Sequence, residues 1–230
     1  MSDSSPEQSG RRPLKSRQWR VFQKLAGALA NSGVTPNAIS VSSVAFAVAA
    51  GACLALTTWI EEPLVRRIVW LLSGVMIQFR LIANLMDGMV AIEGGKKSAV
   101  GDLYNEVPDR LSDPAILIGA GFAWGSCPML GLTAALVAVF VAYVRAIGAS
   151  VGVGQVFLGP FAKQQRMAVM TLVCIASAIF PMSWQPIHAA TGSGICGGAL
   201  LVIIGGGIVT AVRRMNHIAR LMRERQEVRQ

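Results

Sequence analysis

The chain has 230 residues, of which 53% are hydrophobic and 14% are charged, and its mean hydropathy is +0.52. Typical soluble domains carry about 25% charged residues, and one soluble core of this size could not bury so much apolar surface. The composition therefore excludes disorder, a collagen-like fibre and a small disulfide scaffold, and it indicates an integral membrane protein.

The charge is strongly basic, with 21 Lys and Arg against 12 Asp and Glu, which gives a formal net charge of +9. Nucleic-acid binding is one explanation of such a balance. The basic residues instead flank the apolar part of the chain on both sides, as the positive-inside rule and anionic lipid headgroups favour. They are Arg11, Arg12, Lys15, Arg17, Arg20 and Lys24 before it, and Arg213, Arg214, Arg220, Arg223, Arg225 and Arg229 after it.

The first elements in chain order are polar or amphipathic. Residues 1–16 are predicted to be a disordered basic N-terminus. In residues 17–35, apolar side chains recur at helical spacing between polar ones, which predicts an amphipathic helix in the membrane interface. An ordinary surface helix is the alternative. Gly33 and the turn at Thr35-Pro36-Asn37 are expected to redirect the chain into the first membrane span.

Six apolar stretches follow, each close to the roughly 20 residues that cross about 30 Å of hydrocarbon. They run at about 39–60, 68–92, 99–123, 129–151, 167–184 and 194–212. The predicted fold is thus an all-α integral membrane bundle of six transmembrane helices over 36–212. A basic cytoplasmic tail over 213–230 is expected to follow as a helical extension near anionic lipid. Because the second and fourth connectors carry basic residues, both termini are expected to be cytoplasmic, in a multi-pass protein of a bacterial inner membrane. Arg66 and Arg67 in the first connector are the exception to this pattern.

Half of the twelve acids lie between positions 87 and 113, in or beside the second and third predicted spans. They are Asp87, Glu93, Asp102, Glu106, Asp109 and Asp113. Ionisable groups at membrane depth are costly unless paired or hydrated, so they are functional candidates. Helical spacing places Arg80, Asn84 and Asp87 on one face of the second span. It places Asp102, Asn105, Glu106, Asp109 and Asp113 on a broad face of the third.

Two antiparallel helices joined by a short connector can turn these polar faces toward each other. The predicted result is a cluster of oxygen ligands near the cytoplasmic surface, which suits a hard divalent cation such as Mg²⁺. The alternative is a water-lined polar seam with ion pairs to Arg80 and Arg110.

Positions 84–109 read NLMDGMVAIEGGKKSAVGDLYNEVPD. This stretch resembles the signature of the CDP-alcohol phosphatidyltransferases, D-x2-D-G-x2-A-R-x8-G-x3-D-x3-D, with its spacing intact throughout. Asp87, Gly88, Ala91, Gly101 and Asp109 occupy signature positions. The departures are Asn84 and Asn105 in place of aspartates and Ile92 in place of the arginine.

The resemblance implies a membrane enzyme of phospholipid biosynthesis that moves a phosphatidyl group from CDP-diacylglycerol to a small alcohol and releases CMP. In the family, the four signature acids hold two divalent metals, Mg²⁺ or Mn²⁺, and the last one activates the acceptor hydroxyl. Carried over, Asp109 is the catalytic base, and the metal ligands are Asn84, Asp87, Asn105 and Asp109. Further candidate ligands, which could compensate for the two lost charges, are Asp102, Glu106 and Asp113.

The resemblance also implies nucleotide contacts at Asp87, Gly88, Ala91 and Gly101, where small residues let a nucleotide approach the backbone. Basic residues at the start of the fifth span and the end of the fourth imply substrate-phosphate binding, at Arg145, Lys163 and Arg166. Positive-inside anchoring explains these three equally well. Arg80 is expected to pair with Asp87 or with a lipid phosphate. The family is often dimeric.

Two other functions stay open at this point. The Asn84, Ile92 and Asn105 departures suit a catalytically impaired relative that binds CDP-lipid or scaffolds a partner. The intramembrane acids suit a small proton-coupled transporter, although the other spans offer no acids to continue a proton path. The identity of the alcohol, whether glycerol phosphate, inositol phosphate, serine or a second lipid, is not readable from the sequence.

Overall fold

The computed structural model describes residues 19–93, 101–181, 184–185 and 193–227, without the side chains of 92, 93, 101, 102, 104 and 105. All regular secondary structure in these ranges is helical. The helices are α1 (Arg20–Asn31), α2 (Pro36–Leu56), α3 (Pro63–Glu93), α4 (Gly101–Gly121), α5 (Pro128–Ser150), α6 (Lys163–Ile179) and α7 (Ile195–Glu227). The predicted all-α class is confirmed.

Helix starts follow from local sequence. Pro36 opens α2, where a missing N–H costs nothing because the first helical N–H groups have no intrahelical acceptor. The Thr35 hydroxyl caps this helix by accepting a hydrogen bond from the Ala38 backbone N–H at 3.2 Å. Gly33 has φ +81°, which favours glycine and lets the chain turn sharply between α1 and α2. The Thr-Pro-Asn segment therefore begins the first long helix.

Small residues let the helices cross closely. Gly51 of α2 lies against Ala115 and Gly119 of α4, and a Cβ on Gly119 would lie 2.2 Å from the Gly51 carbonyl oxygen. Gly121 of α4 meets Gly131 of α5 in the same way. Such glycine contacts are typical of helix pairs in lipid, where close van der Waals packing drives association. In the described residues α2 packs closely against α3 as well as α4, whereas α3 and α4 touch each other only loosely.

Within the described residues, four helices are long and apolar enough to cross a membrane. They are α2, residues Pro63–Ala91 of α3, α5 and α7. The predicted third and fifth spans do not qualify, because α4 carries several charged residues and α6 has only 17 residues. The chain is a multi-pass integral membrane protein, and a total of six spans is not confirmed.

The outward surface of the bundle is apolar. On α5, for example, Leu132, Leu136 and Phe140 are exposed, while Ala134, Ala138 and Val141 of the same helix are buried. An apolar exterior of this kind fits hydrocarbon rather than water.

The last helix is longer than the sixth predicted span. α7 continues without a break to Glu227, and its 33 residues measure about 50 Å at about 1.5 Å per residue. This length exceeds the roughly 30 Å of the hydrocarbon core, so the basic residues 213–227 extend the helix beyond it. α6 ends at Ile179, five residues before the predicted end of the fifth span.

Candidate active site

The polar side chains converge at one end of the bundle. The second half of α3, the first half of α4, the end of α5 and the start of α6 all lie there, because these helices alternate in direction. Asn84 of α3 lies nine residues before the end of its helix, or about 14 Å along the axis. The site is therefore set back into the bundle.

A lysine ammonium connects α3 with α4. The Lys163 Nζ, from the first residue of α6, donates to the Asn84 Oδ1 and also pairs with the Asp109 Oδ2 at 2.5 Å. The Lys163 and Asp109 side chains are 27% and 14% exposed, so the contact borders solvent. The structure thus brings three predicted site residues together.

Asp87 has a different environment. This carboxylate is buried, and its Oδ2 accepts a hydrogen bond from the Ser40 hydroxyl of α2 at 2.7 Å. Its Oδ1 accepts from the Gly88 backbone N–H at 2.5 Å. Among the described residues it makes no ion pair, although it is close enough to Asp109 and Lys163 to interact with their charges. Asp87 is therefore held by neutral donors.

A buried ion network lies behind Asp109. The Arg80 guanidinium, fully buried, pairs with the Asp109 Oδ1 and the Asp113 Oδ1, each at 3.0 Å. The Asp113 Oδ2 accepts from the Arg166 guanidinium at 2.6 Å, and Arg166 also donates to the Phe161 carbonyl at 3.1 Å. The predicted pairing of Arg80 with Asp87 is wrong, since Arg80 reaches across to α4 instead.

Both carboxylate oxygens of Asp113 are thus engaged by arginines, which leaves this residue unsuited to bind a metal. Arg166 is only 4% exposed. Its predicted role as a substrate-phosphate ligand does not fit this burial, and the geometry makes it a support for Asp113.

A second ion cluster lies one turn nearer the start of α4. The Arg145 guanidinium of α5 donates to both carboxylate oxygens of Glu106, each at 2.7 Å, and Arg110 pairs with Glu106 as well. The Arg145 guanidinium also lies 5.6 Å from the centre of the Phe157 ring. Glu106 is occupied by two arginines, so it does not suit the metal-ligand role considered for it. The pairs formed by Arg80 and Arg110 are those that the polar-seam alternative requires.

The loop before α6 is pinned by α7, and this fixes the position of Lys163. The Phe161 backbone N–H donates to the Thr210 hydroxyl at 3.0 Å. The Arg214 side chain donates to the carbonyls of Leu158 at 2.8 Å and Val141 at 3.0 Å. Lys163 follows this anchored loop directly, so α7 contributes to the site without entering it.

Several signature positions and candidate ligands lie outside the described side chains: Asp102, Asn105, Gly101 and Ile92. Gly88 and Ala91 lie on α3 next to Asp87 and one turn beyond it.

The donor set fits a hard divalent cation at Asp87. Carboxylate and amide oxygens are the ligands that Mg²⁺ and Mn²⁺ prefer. Asp87 and Asn84 supply them from α3, whereas both carboxylate oxygens of Asp109 pair with Arg80 and Lys163. The Asp87 carboxylate is buried among neutral donors, where a cation would balance its charge. Within the described part of the chain, no group of three or more His, Cys, Asp or Glu residues gathers as a complete ligand set.

An apolar groove of about 330 Å³ opens beside the site, between α1, α2 and α3. Its lining includes Leu25, Leu29, Phe46 and Phe79. It also includes Ile39 and Met86, the chain neighbours of Ser40 and Asp87.

Sequence reasoning missed Ser40, the donor to Asp87. The available signal was its position one turn after the Thr35 cap, where it shares a buried face with Ser43 and Ala47. A serine on a buried helix face indicates a polar partner on its own or a neighbouring helix.

Comparison with curated proteins finds related membrane proteins and lipid synthases. Phosphatidylinositol phosphate synthase of Mycobacteroides abscessus is 24% identical over 205 residues, covering 86% of this chain and 84% of that protein. Inner membrane protein YnbA of Escherichia coli is 27% identical over 154 residues, covering 66% and 73%. Archaetidylinositol phosphate synthase of Pyrococcus horikoshii is 24% identical over 160 residues, covering 69% and 78%. No protein-family model matches the chain.

Solved structures share the fold. Phosphatidylinositol phosphate synthase (PgsA1) of Mycobacterium tuberculosis with CDP-DAG bound has a TM-score of 0.66 and 18% identity, covering 87% of this chain and 94% of that one. The same enzyme in complex with manganese and citrate gives 0.66 and 17%, covering 86% and 88%. The relatives and the shared fold confirm the resemblance to the CDP-alcohol phosphatidyltransferase family that the signature predicts.

Proposed function

We propose that this protein transfers a phosphatidyl group from CDP-diacylglycerol to an alcohol and releases CMP. The observation that carries the proposal is the convergence of Asn84, Asp87 and Asp109, at signature spacing, from α3 and α4 at one end of a membrane bundle. Relatives named as phosphatidylinositol phosphate and archaetidylinositol phosphate synthases support it, as does the likeness to a structure with CDP-DAG bound.

In this proposal Asp87 and Asn84 hold a divalent cation, Mg²⁺ or Mn²⁺, beside the pyrophosphate. When bound, the ion supplies positive charge that favours departure of CMP. Gly88 and Ala91 leave space for the nucleotide next to the α3 backbone, with Gly101 at the facing end of α4.

Asp109 takes the proton from the acceptor hydroxyl. The acceptor oxygen bonds to the phosphorus attached to diacylglycerol, the bond from that phosphorus to the CMP oxygen breaks, and CMP leaves with the electron pair. Arg80 holds the Asp109 carboxylate from behind by pairing with Oδ1, so Oδ2 faces the open side with Lys163. Asp113 and Arg166 keep Arg80 in place.

The apolar groove between α1, α2 and α3 suits an acyl chain of the lipid donor. It runs beside Met86 and Ile39, so a chain lying in it would direct the attached phosphate toward Asp87. In the same proposal α1 lies in the membrane interface and both termini are cytoplasmic. Reporter fusions to the two ends test the position of the termini.

Arg145 is the best placed residue to bind the phosphate of a phosphorylated acceptor. Its side chain is partly exposed, and it already binds an anion in the form of the Glu106 carboxylate. Inositol phosphate is the first acceptor to test, given the names of the relatives, followed by glycerol phosphate and serine. Arg145→Gln is expected to raise KM for the phosphorylated acceptor at least tenfold and to leave KM for the CDP-lipid unchanged.

The direct test measures CMP release by the purified protein in detergent, with CDP-diacylglycerol, Mn²⁺ and each acceptor in turn. We expect acceptor-dependent CMP release, and its loss in Asp109→Asn. Binding of CDP-lipid without any CMP release across the panel would instead favour the catalytically impaired relative, for which the Asn84 departure is the supporting observation.

A further inference from the structure

We propose that the Lys163 ammonium is a built-in cation that joins Asn84 to Asp109, and that the chain consequently binds one divalent ion, at Asp87, rather than two. The inference rests on the proposed function, because it concerns the metal site of that reaction. It assigns Lys163 a role inside the carboxylate cluster instead of the substrate-phosphate role predicted from sequence.

The first support is steric. The Lys163 Nζ bridges the side-chain oxygens of Asn84 on α3 and Asp109 on α4. A divalent ion shared by the same two oxygens would lie about 2.0–2.1 Å from each of them. That position overlaps the ammonium group, so the two cations exclude each other there.

The second support is the charge of the cluster. Asp109 and Asp113 pair with Arg80, Lys163 and Arg166, so two carboxylates already face three cations. Asp87 is the carboxylate in this cluster whose described partners are all neutral, the Ser40 hydroxyl and the Gly88 N–H. Among the described side chains of this cluster, the three carboxylates of Asp87, Asp109 and Asp113 balance the three cations. One divalent ion then leaves an excess of two positive charges for a pyrophosphate to neutralise, whereas a second ion would double that excess.

The third support is the residue at position 84. An amide oxygen accepts a hydrogen bond from an ammonium but adds no charge that would attract a further metal ion. Asn84 stands where the signature has an aspartate, and it is this residue that Lys163 contacts. The missing carboxylate at position 84 and the ammonium of Lys163 therefore act together to exclude a second metal ion.

The ammonium is also held in place by the fold. The chain before Lys163 is fixed to α7 through Thr210 and Arg214, and one turn later Arg166 is locked to Asp113. A lysine at the start of a helix anchored on both sides has little freedom to swing away from Asn84 and Asp109.

The test counts Mn²⁺ bound per chain, by titration followed with electron paramagnetic resonance, on the full chain in detergent with CDP-diacylglycerol present. We expect one ion for the natural protein. The double variant Asn84→Asp with Lys163→Met restores a carboxylate and removes the ammonium, and we expect it to bind two. Arg145→Met removes a positive charge while keeping Lys163, and as the matched control it is expected to bind one.

Two ions in the natural protein, or none, would overturn the inference, as would a double variant that stays at one ion while retaining the melting temperature of the natural protein. CMP release measured on the same samples separates the two proposals. One bound ion without turnover under any acceptor contradicts the proposed reaction alone, and two bound ions with turnover contradict the single-ion site alone.

Discussion

Replacing Asp113 with asparagine probes the buried network that supports the proposed base. Both carboxylate oxygens of Asp113 are in use, one by Arg80 and one by Arg166. An asparagine offers one acceptor and one N–H₂ group, so one guanidinium loses its partner. Arg80 keeps Asp109, and the loss therefore falls mainly on Arg166, which is 4% exposed.

Removing one partner of a buried ion pair costs about 3–5 kcal/mol, because it leaves a buried charge uncompensated. The amide retains part of the interaction, so we take the lower end, about 3 kcal/mol. For a chain of 150–250 residues this corresponds to a fall in melting temperature of roughly 6–12 °C.

The assay is thermal unfolding in detergent, followed by the tryptophan fluorescence of the purified protein. Asp109→Asn is the matched control, because Arg80 keeps Asp113 when Asp109 loses its charge, and we expect a shift less than half as large together with loss of CMP release. The double variant Asp113→Asn with Arg166→Met should lose less unfolding free energy than the two single variants lose together. We expect the difference to be at least about 1 kcal/mol. A shift below 2 °C for Asp113→Asn would refute the buried network.

The remaining predictions concern packing, the metal ligand and the metal itself. Gly51→Val should destabilise the bundle by about 1–3 kcal/mol, because its Cβ would lie 2.3 Å from a carbonyl oxygen of α4; Gly198→Ala, with nothing within 4 Å, should leave the melting temperature unchanged or slightly higher. Ser40→Ala should weaken Mn²⁺ binding about tenfold by removing the donor that orients Asp87, whereas Ser42→Ala, whose hydroxyl bonds within its own helix, should not. Chelation by EDTA should stop CMP release, and added Mn²⁺ should restore it; release that persists in the chelator would contradict the metal requirement.

The helices were predictable because their determinants are local. The apolar stretches, the cap at Thr35 and the prolines at helix starts each act within a few residues, and the structure has a helix in every segment where one was predicted. The membrane spans were less predictable, since α4 combines apolar length with the charges of the site. The continuation of α7 to Glu227 agrees with the helical extension predicted for the basic tail.

The candidate site was likewise predictable only in part. Asn84, Asp87 and Asp109 could be named from the signature spacing, which α3 and α4 convert directly into shared faces. Lys163 and Ser40 contact them from distant parts of the chain, and their contacts depend on how α6 and α2 are rotated in the bundle. Helix rotation is set by packing, such as the glycine contacts of α2 with α4, and a single sequence does not contain that information in readable form.

The most direct test is a crystal structure of the protein with CDP-diacylglycerol and Mn²⁺, in which anomalous scattering locates the metal. We expect Mn²⁺ at about 2.0–2.2 Å from an Asp87 carboxylate oxygen, with the pyrophosphate between α3 and α4 and the Asp109 carboxylate facing the acceptor side. Metal density away from Asp87, or a CDP group bound outside the space between α3 and α4, would contradict the proposed site.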